Sequence, residues 1–460
     1  MSGPLRRLTL EALDRLCRER RAAGDPLPAY VGPLERHVKD GDVRLLRLQY
    51  DDSAAALRLW SFLLTEEERL HAARAAGRKI VGTMKDLGTV PVMAYSLPNL
   101  VAFYPDGAWW TPCVMELSEG LFALAQSVGL GDAFCPVRAM AGAFVNRAHF
   151  PIPDLLTCSV GATCDDFSAV AQRVESLGHP ILWWEMPCRR RPDAGEPAVE
   201  LPGGFLAPRS QVDLVRSELE RVRAALSELA GLPLGDVELA AGIREANRIR
   251  ALLGELRHLA YTAEPCPMPA LEMLIAEMLA IHFCSDRAES AAVLTDLLDE
   301  VRRRVDRRRG VVAEGAARLF WVNPVADLRV MNLLETCGAR LCGTDYLFGH
   351  ALDQIPEDLP PMEALARMAL ADPMVGPSAD RAARIVVDAR RLGAEGLVVS
   401  RIPGASHCAM EGTVIRRIVQ DELGLPVVEL EVPPVADPLW PTLKTRLDAL
   451  VETVMAGRKR

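Results

Sequence analysis

The eleven cysteines of this 460-residue chain include no C-x-x-C pair. That excludes a zinc ribbon, a thioredoxin-like site and a bacterial-type ferredoxin run, so any metal site must draw on cysteines distant in sequence. There is no G-x-x-x-x-G-K-[ST], hence no P-loop, and the chain is not expected to hydrolyse a nucleotide by itself. A G-x-G-x-x-G after a strand, H-E-x-x-H and the G-x-S-x-G elbow are missing as well. No apolar run reaches the ~18 residues that cross a bilayer. Residues 1–24 alternate Leu with Arg and Glu, as in Leu10-Glu11-Ala12-Leu13-Asp14-Arg15-Leu16, which reads as a surface helix and not a secretory signal. A cytoplasmic protein with reduced thiols is the expectation, its cysteines being buried hydrophobes or metal ligands.

Positive charge is also short: Lys+Arg 53 against Asp+Glu 62 leaves a formal net charge of -9. Nucleic-acid and anionic-membrane binders need clustered positive charge, so neither partner is expected. The runs Arg302–Arg304 and Arg307–Arg309 fall in an acidic helical stretch and read as solvated helix surface. With 50% hydrophobic and 25% charged residues the chain is an ordinary globular one, long enough for two or three domains.

Four stretches differ in pattern. Residues 1–76 read as a helical N-terminal segment, with Asp52-Ser53 capping an Ala/Leu/Trp-rich run to Ala75. Residues 77–207, the first α/β domain, change to short apolar runs broken by Gly and Pro. There Asp154–Val160 reads as a strand, Asp165–Leu177 as a helix with its apolar face at Phe167, Val170, Val174 and Leu177, and Ile181–Trp184 as a second strand. That length of strand, helix and strand makes a βαβ unit and a parallel sheet. Residues 208–314 read as helix over Val212–Leu229, Val237–Tyr261, Pro269–Phe283 and Glu289–Arg309. Residues 315–460 form the second α/β domain, with strands at Ala317–Val322, Gly396–Val399 and Leu425–Leu430. Its helices are Ala379–Leu392, Met410–Leu423 and Trp440–Met455. The fold class expected is therefore α/β: two doubly wound, Rossmann-like parallel-sheet domains facing across a cleft, with helical N-terminal and central segments.

In such sheets, ligands bind beyond the carboxyl ends of strands. Three cysteines sit at loops of that kind. Cys135 enters a helix whose first residue is Pro136, after a helix over Glu116–Val128. Cys164 stands between the strand and the helix of the βαβ unit. Cys408 follows the strand ending at Ser400 and precedes the helix at Met410. A helix N-terminus lowers a thiol's pKa and favours the thiolate that iron–sulfur clusters need, so the three are candidates for one shared site. Cys17, Cys266, Cys284, Cys158, Cys337 and Cys342 read as packing residues, while Cys113 and Cys188 are candidates to line a cleft. Trp109-Trp110 and Trp183-Trp184 read as core, Asp165 as a helix cap, and His149 as a satisfied core or surface histidine.

Phe134-Cys135-Pro136-Val137-Arg138-Ala139 with Gly142 resembles the Cys…Val-Arg/Lys-Ala…Gly segment of the benzoyl-CoA reductase / 2-hydroxyacyl-CoA dehydratase family. Thr163-Cys164-Asp165 resembles its Cys-Asp at a strand-to-helix turn, and Cys408 falls where the family has its third cysteine. Ile243-Arg244-Glu245-Ala246-Asn247-Arg248-Ile249-Arg250 is similar to its Ile…Asn…Arg helix. Leu443-Lys444-Thr445-Arg446-Leu447 with Glu452 resembles its closing helix. The likeness runs over most of residues 77–460.

The resemblance implies a 4Fe–4S cluster held by Cys135, Cys164 and Cys408, with one iron left open. It implies an oxygen-sensitive, ATP-coupled redox enzyme that reduces or dehydrates an acyl- or aroyl-CoA thioester. Electrons would come from a separate ATPase activator with its own cluster and P-loop, and the chain would pair with a homologous subunit or with itself. The missing P-loop agrees with that division of labour. Two alternatives stand beside this reading. One is a double-cubane (8Fe) reductase of small unsaturated molecules. The other is a non-catalytic scaffold or electron-transfer paralogue pairing with an active subunit. The second draws on residues 83–110, which lack the family's Pro-Glu-Leu…Ala-Ala-Gly segment. The third-cysteine segment reads Ser406-His407-Cys408 where the family commonly has Phe-Cys, and closure of the fourth iron position by His407 or another side chain would favour electron transfer without substrate chemistry.

Overall fold

The computed structural model describes residues 5–27, 31–32, 34–86, 88–107, 118–147, 149–282, 285–346 and 349–459, with the backbone only at 118, 119, 282, 350 and 406–409. Two four-stranded parallel sheets carry the architecture. The first contains β1 (Lys79–Met84), β2 (Leu100–Phe103), β3 (Leu155–Gly161) and β4 (Ile181–Met186), in the order β2-β1-β3-β4. The second contains β5 (Ala317–Val322), β6 (Ala339–Asp345), β7 (Gly396–Arg401) and β8 (Val427–Glu431), in the order β6-β5-β7-β8. These are the two doubly wound α/β units expected from the alternation of strand and helix, and both are wound in the same order.

Parallel strands are covered on both faces, so their sequences run apolar without alternation. Leu397, Val398 and Val399 of β7 and Phe320, Trp321 and Val322 of β5 are all fully buried. The register sets Val399 beside Val322 and Cys158 beside both Met84 and Trp183. Three strands, β1, β2 and β6, are not apparent from the sequence pattern. In β6 the reason is a buried arginine: Arg340 donates to the carbonyls of Ala260 (2.7 Å) and Ala263 (2.5 Å) and to Glu264 Oε2 (3.0 Å). Satisfied in this way it occupies a core position that its charge alone argues against.

Between the sheets in sequence stand the helices Arg209–Ala230, Asp236–Thr262, Ala270–His282 and Arg287–Asp306. The 27-residue helix Asp236–Thr262 is a spine of roughly 40 Å that touches the helix Val90–Tyr95 of the first half and β6 of the second. The N-terminal stretch holds more than helix, since Arg7–Leu8 pairs antiparallel with Tyr50–Asp51. Its run to Ala75 breaks at Thr65, whose hydroxyl turns back to the Ser61 carbonyl (2.6 Å). The arginine run also departs from expectation. Arg302 and Arg303 are exposed, whereas Arg304 is buried and bridges both oxygens of Asp51 at 2.6 and 2.8 Å. Only the arginine on the inward face of the helix finds that partner. Among the described residues, no helix is long and apolar enough to cross a membrane.

Candidate metal centre

In each sheet the chain reverses its direction of winding between the first and third strands, which opens a crevice at the carboxyl ends of β1 and β3 and of β5 and β7. The loops leaving β3 and β7 carry Cys164 and Cys408. Cys164 is the N-cap of the helix Asp165–Ser176, in extended conformation (φ -73°, ψ 116°). Asp165 is thus the exposed first residue of that helix and not its cap. The helix after β7 runs Ser406–Leu423, starting four residues before Met410, so the backbone of Cys408 lies inside its first turn. The side chains of His407 and Cys408 lie outside the described residues. Cys135 is the N-cap of a 3-10 turn, Pro136–Arg138, with Pro136 at its first position as expected.

Two packing features draw these three loops to one place. The helix Asp165–Ser176 packs against both the Pro136–Arg138 turn and the helix Ser406–Leu423. Independently, Gly404 lies against the loop before Cys135: a Cβ built on it would stand 2.5 Å from the Phe134 carbonyl oxygen and 3.2 Å from that of Asp132. Only glycine permits that approach, and its φ of +80° is a second reason for the residue. From the other side Arg138 holds the Cys135 loop. Its guanidinium donates to the Phe134 carbonyl (2.8 Å) and Asp132 Oδ1 (2.7 Å) and stacks over Phe122.

The Cys408 helix is anchored by a buried ionic knot. Arg381, 1% exposed, donates to Asp345 Oδ2 (2.8 Å), Glu411 Oε2 (2.5 Å) and Asn323 Oδ1 (2.7 Å). Asp345 ends β6, Asn323 follows β5, and Glu411 lies three residues beyond Cys408. One guanidinium thereby ties the first turns of that helix to the carboxyl ends of two strands. The knot fills the second sheet's crevice with protein charge. The first sheet's crevice holds Lys85 instead. This residue follows β1 in a left-handed conformation (φ +56°), is buried, and donates to Ser168 Oγ at 2.8 Å. Burial lowers its pKa, while Cys158, Cys164, Asp165 and Cys188 surround the ammonium and pull the other way.

Burial pushes the Cys164 thiol up to about 11, opposed by the N–H groups of Phe167 and Asp166 at the helix start. Without metal it is a neutral thiol at pH 7, and metal binding must drive its proton off. Cys158 is also pushed up, to about 12, but lies wholly within the sheet core. Cys17, Cys266 and Cys342 are buried, Cys337 is half-buried and Cys188 is exposed. Cys113, Cys284 and Trp109-Trp110 lie outside the described residues. Trp184 is core, whereas Trp183 is half-buried and donates to Glu175 Oε1 at 3.1 Å. His149 is buried yet unsatisfied: neither ring nitrogen has a hydrogen-bond partner among the described residues, and burial lowers its pKa to about 4.

Among the described residues, no three His, Cys, Asp or Glu side chains stand together as a ready metal site. Thiols at helix starts, drawn together by a glycine contact and with a lysine nearby, are the donor chemistry an iron–sulfur cluster uses. Lys85 and Arg381 went unnoticed in the sequence because no motif surrounds them. Lys85 carries one signal, a charge directly after an apolar strand, whereas Arg381 lies inside the helix Ser378–Arg391 and carries none.

A family model described as 2-hydroxyglutaryl-CoA dehydratase, D-component, matches residues 88–454. No curated protein shows a significant match.

Proposed function

The chain belongs to the 2-hydroxyglutaryl-CoA dehydratase D-component family, and from that premise we propose that it is the cluster-bearing subunit of an ATP-coupled, low-potential redox enzyme acting on an acyl- or aroyl-CoA thioester. Membership makes it a component of a 2-hydroxyacyl-CoA dehydratase-type enzyme. The finer reading names Cys135, Cys164 and Cys408 as ligands of a 4Fe–4S cluster, a separate ATPase activator as electron donor, and a homologous subunit or a second copy as partner. The observation that supports it most is the contact of Gly404 with the Phe134 carbonyl, because it joins loops that are about 270 residues apart and each lead into a cysteine.

When bound, a cubane with three thiolate ligands supplies low-potential electrons and an iron open to a thioester oxygen. The chain's own residues prepare for that group. At the start of the Asp165 helix the N–H groups of Phe167 and Asp166 offset part of the burial penalty on the Cys164 thiolate. Lys85 adds a positive charge that opposes the accumulation of negative charge at the sulfurs. Arg138 holds the backbone of the Cys135 loop and Arg381 anchors the helix that carries Cys408, which supports the two segments as a fixed frame.

The test is iron and acid-labile sulfide content after anaerobic purification, for the natural chain and for Cys135→Ala, Cys164→Ala and Cys408→Ala. About four irons per chain, lost in each variant, is the expected outcome. No iron in the natural chain sinks the proposal, and about eight irons would transfer it to the double-cubane alternative.

A further inference from the structure

Arg250 lies on the spine helix Asp236–Thr262 and is 1% exposed. Its Nη1 donates to the Asp353 carbonyl at 2.6 Å. Its Nε and Nη2 have no hydrogen-bond partner among the described residues. Arg44, Arg340 and Arg381, equally buried, each meet a carboxylate, and Arg189, whose Nε and Nη2 also lack hydrogen-bond partners among the described residues, has Asp380 at 3.7 Å. Near Arg250 the carboxylate of Asp353 is already committed, receiving Arg384 at 2.7 and 2.9 Å. Burial lowers the Arg250 pKa to about 10, only partly offset by Tyr95, Asp353 and Tyr104 nearby.

The direction of the free edge matters. A Cβ on Gly88 would stand 3.3 Å from Arg250 Nη2 and 3.5 Å from Ala351 Cβ. Gly88 is in the loop that leaves β1, three residues after Lys85, so Nη2 lies against the loop that borders the first sheet's crevice. Ala351 belongs to the turn Gly349–Leu352 that follows β6. Nε–H and Nη2–H project side by side from one edge of the guanidinium, a fork matched by two oxygens of a carboxylate or phosphate. A guanidinium buried with that edge empty is unfavourable for folding, which is the mark of a group kept for a ligand.

We propose that Arg250 is the receptor for an oxoanion, a carboxylate or a phosphate, held between the loop after β1 and the turn after β6. The proposal deepens the thioester reading and rests on it for the anion's source, because such a substrate carries phosphates on its carrier and, in some acyl chains, a second carboxylate. Arg250 is 1% exposed, so anion entry requires the contact between the Gly88 loop and the Gly349–Leu352 turn to open.

The experiment is thermal unfolding of the metal-free full chain with succinate or inorganic phosphate, against NaCl of equal ionic strength. The natural chain, Arg250→Met and Arg250→Lys are compared. A saturable rise in Tm with one anion is expected for the natural chain, succinate pointing to an acyl carboxylate and phosphate to the carrier. Arg250→Met should lose the rise while melting, without anion, at or above the natural chain. Arg250→Lys keeps the charge but not the fork and should need about tenfold more anion, and it carries the test if the methionine variant does not fold. The proposal is overturned if neither anion exceeds NaCl, or if Arg250→Met keeps the rise. It is equally overturned if Arg250→Met melts several degrees lower and the natural chain ignores both anions, which is the behaviour of a purely structural arginine. Iron plays no part in this measurement, so a chain without iron but with the Arg250-dependent rise would refute the cluster and leave the anion site standing.

Discussion

Substituting Gly404 by alanine tests whether the loops before Cys135 and Cys408 act as one unit. The backbone there is left-handed, at φ +80°, which costs an alanine about 1–2 kcal/mol. The new Cβ would lie 2.5 Å from the Phe134 oxygen and 2.8 Å from its carbonyl carbon, where ordinary contact begins near 3.4 Å. The two loops must therefore separate by close to an ångström, adding a further cost of about 1–3 kcal/mol. Gly424 supplies the control at the far end of the same helix, since its φ is +65° but a Cβ there meets nothing within 4 Å. Urea unfolding should show Gly424→Ala losing about 1–2 kcal/mol and Gly404→Ala roughly 2–5 kcal/mol. Anaerobic reconstitution should then give normal iron content in the first variant and a deficit in the second. Equal losses of stability together with equal iron would show that the contact neither strains the fold nor aligns the cysteines, and the reasoning would fail.

Other variants probe the surroundings. Arg381→Met leaves Asp345 and Glu411 buried without their partner, and chemical denaturation should show a loss of about 3–5 kcal/mol; a loss below about 1 kcal/mol would mean the knot holds nothing. Cys158→Ala removes a fully buried thiol from the sheet core and should cost about 1 kcal/mol while leaving iron content unchanged. Iron loss in that variant would bring Cys158 into the ligand set. His149 has its pKa lowered from 6.5 to about 4, so its stabilisation is present above pH 6.5 and is lost as the pH falls through 4. Comparing the natural chain with His149→Gln should therefore show the difference in unfolding free energy changing by about 3 kcal/mol between pH 7 and pH 4, against the His149 protein at low pH. A difference that stays flat with pH would place the histidine in contact with water.

Legibility followed the burial of each element. Residues 155–186 were readable as strand, helix and strand because β3 and β4 are short apolar runs and the helix between them keeps one apolar face. The spine helix was readable for the same reason, with Leu239, Ile243, Ile249 and Leu253 returning at helical spacing. In contrast β6 reads Ala-Arg-Leu-Cys-Gly-Thr-Asp, and its polar members are buried because distant groups satisfy them: Arg340 donates to carbonyls, Thr344 donates to Glu277, and Asp345 accepts from Arg381. The start of the helix after β7 was placed four residues late, since its cap, Ala405, bonds with no side chain and offers no sequence signal.

The local sequence determined the α/β alternation, and it put Pro136 behind Cys135 and a helix directly behind Cys164. Those features depend on backbone preference and periodicity within a dozen residues. The family followed from short motifs in order along most of the chain. Only the tertiary structure decided that both sheets share one winding order, so that the loops after β3 and β7 meet the turn at Cys135. It alone decided that Arg381 closes one crevice, that Lys85 stands in the other, and that Arg250 keeps an unpaired edge beside Gly88. A charged side chain acquires its role from the groups that surround it once water has been removed, and those groups come from other elements, from 30 to more than a hundred residues away.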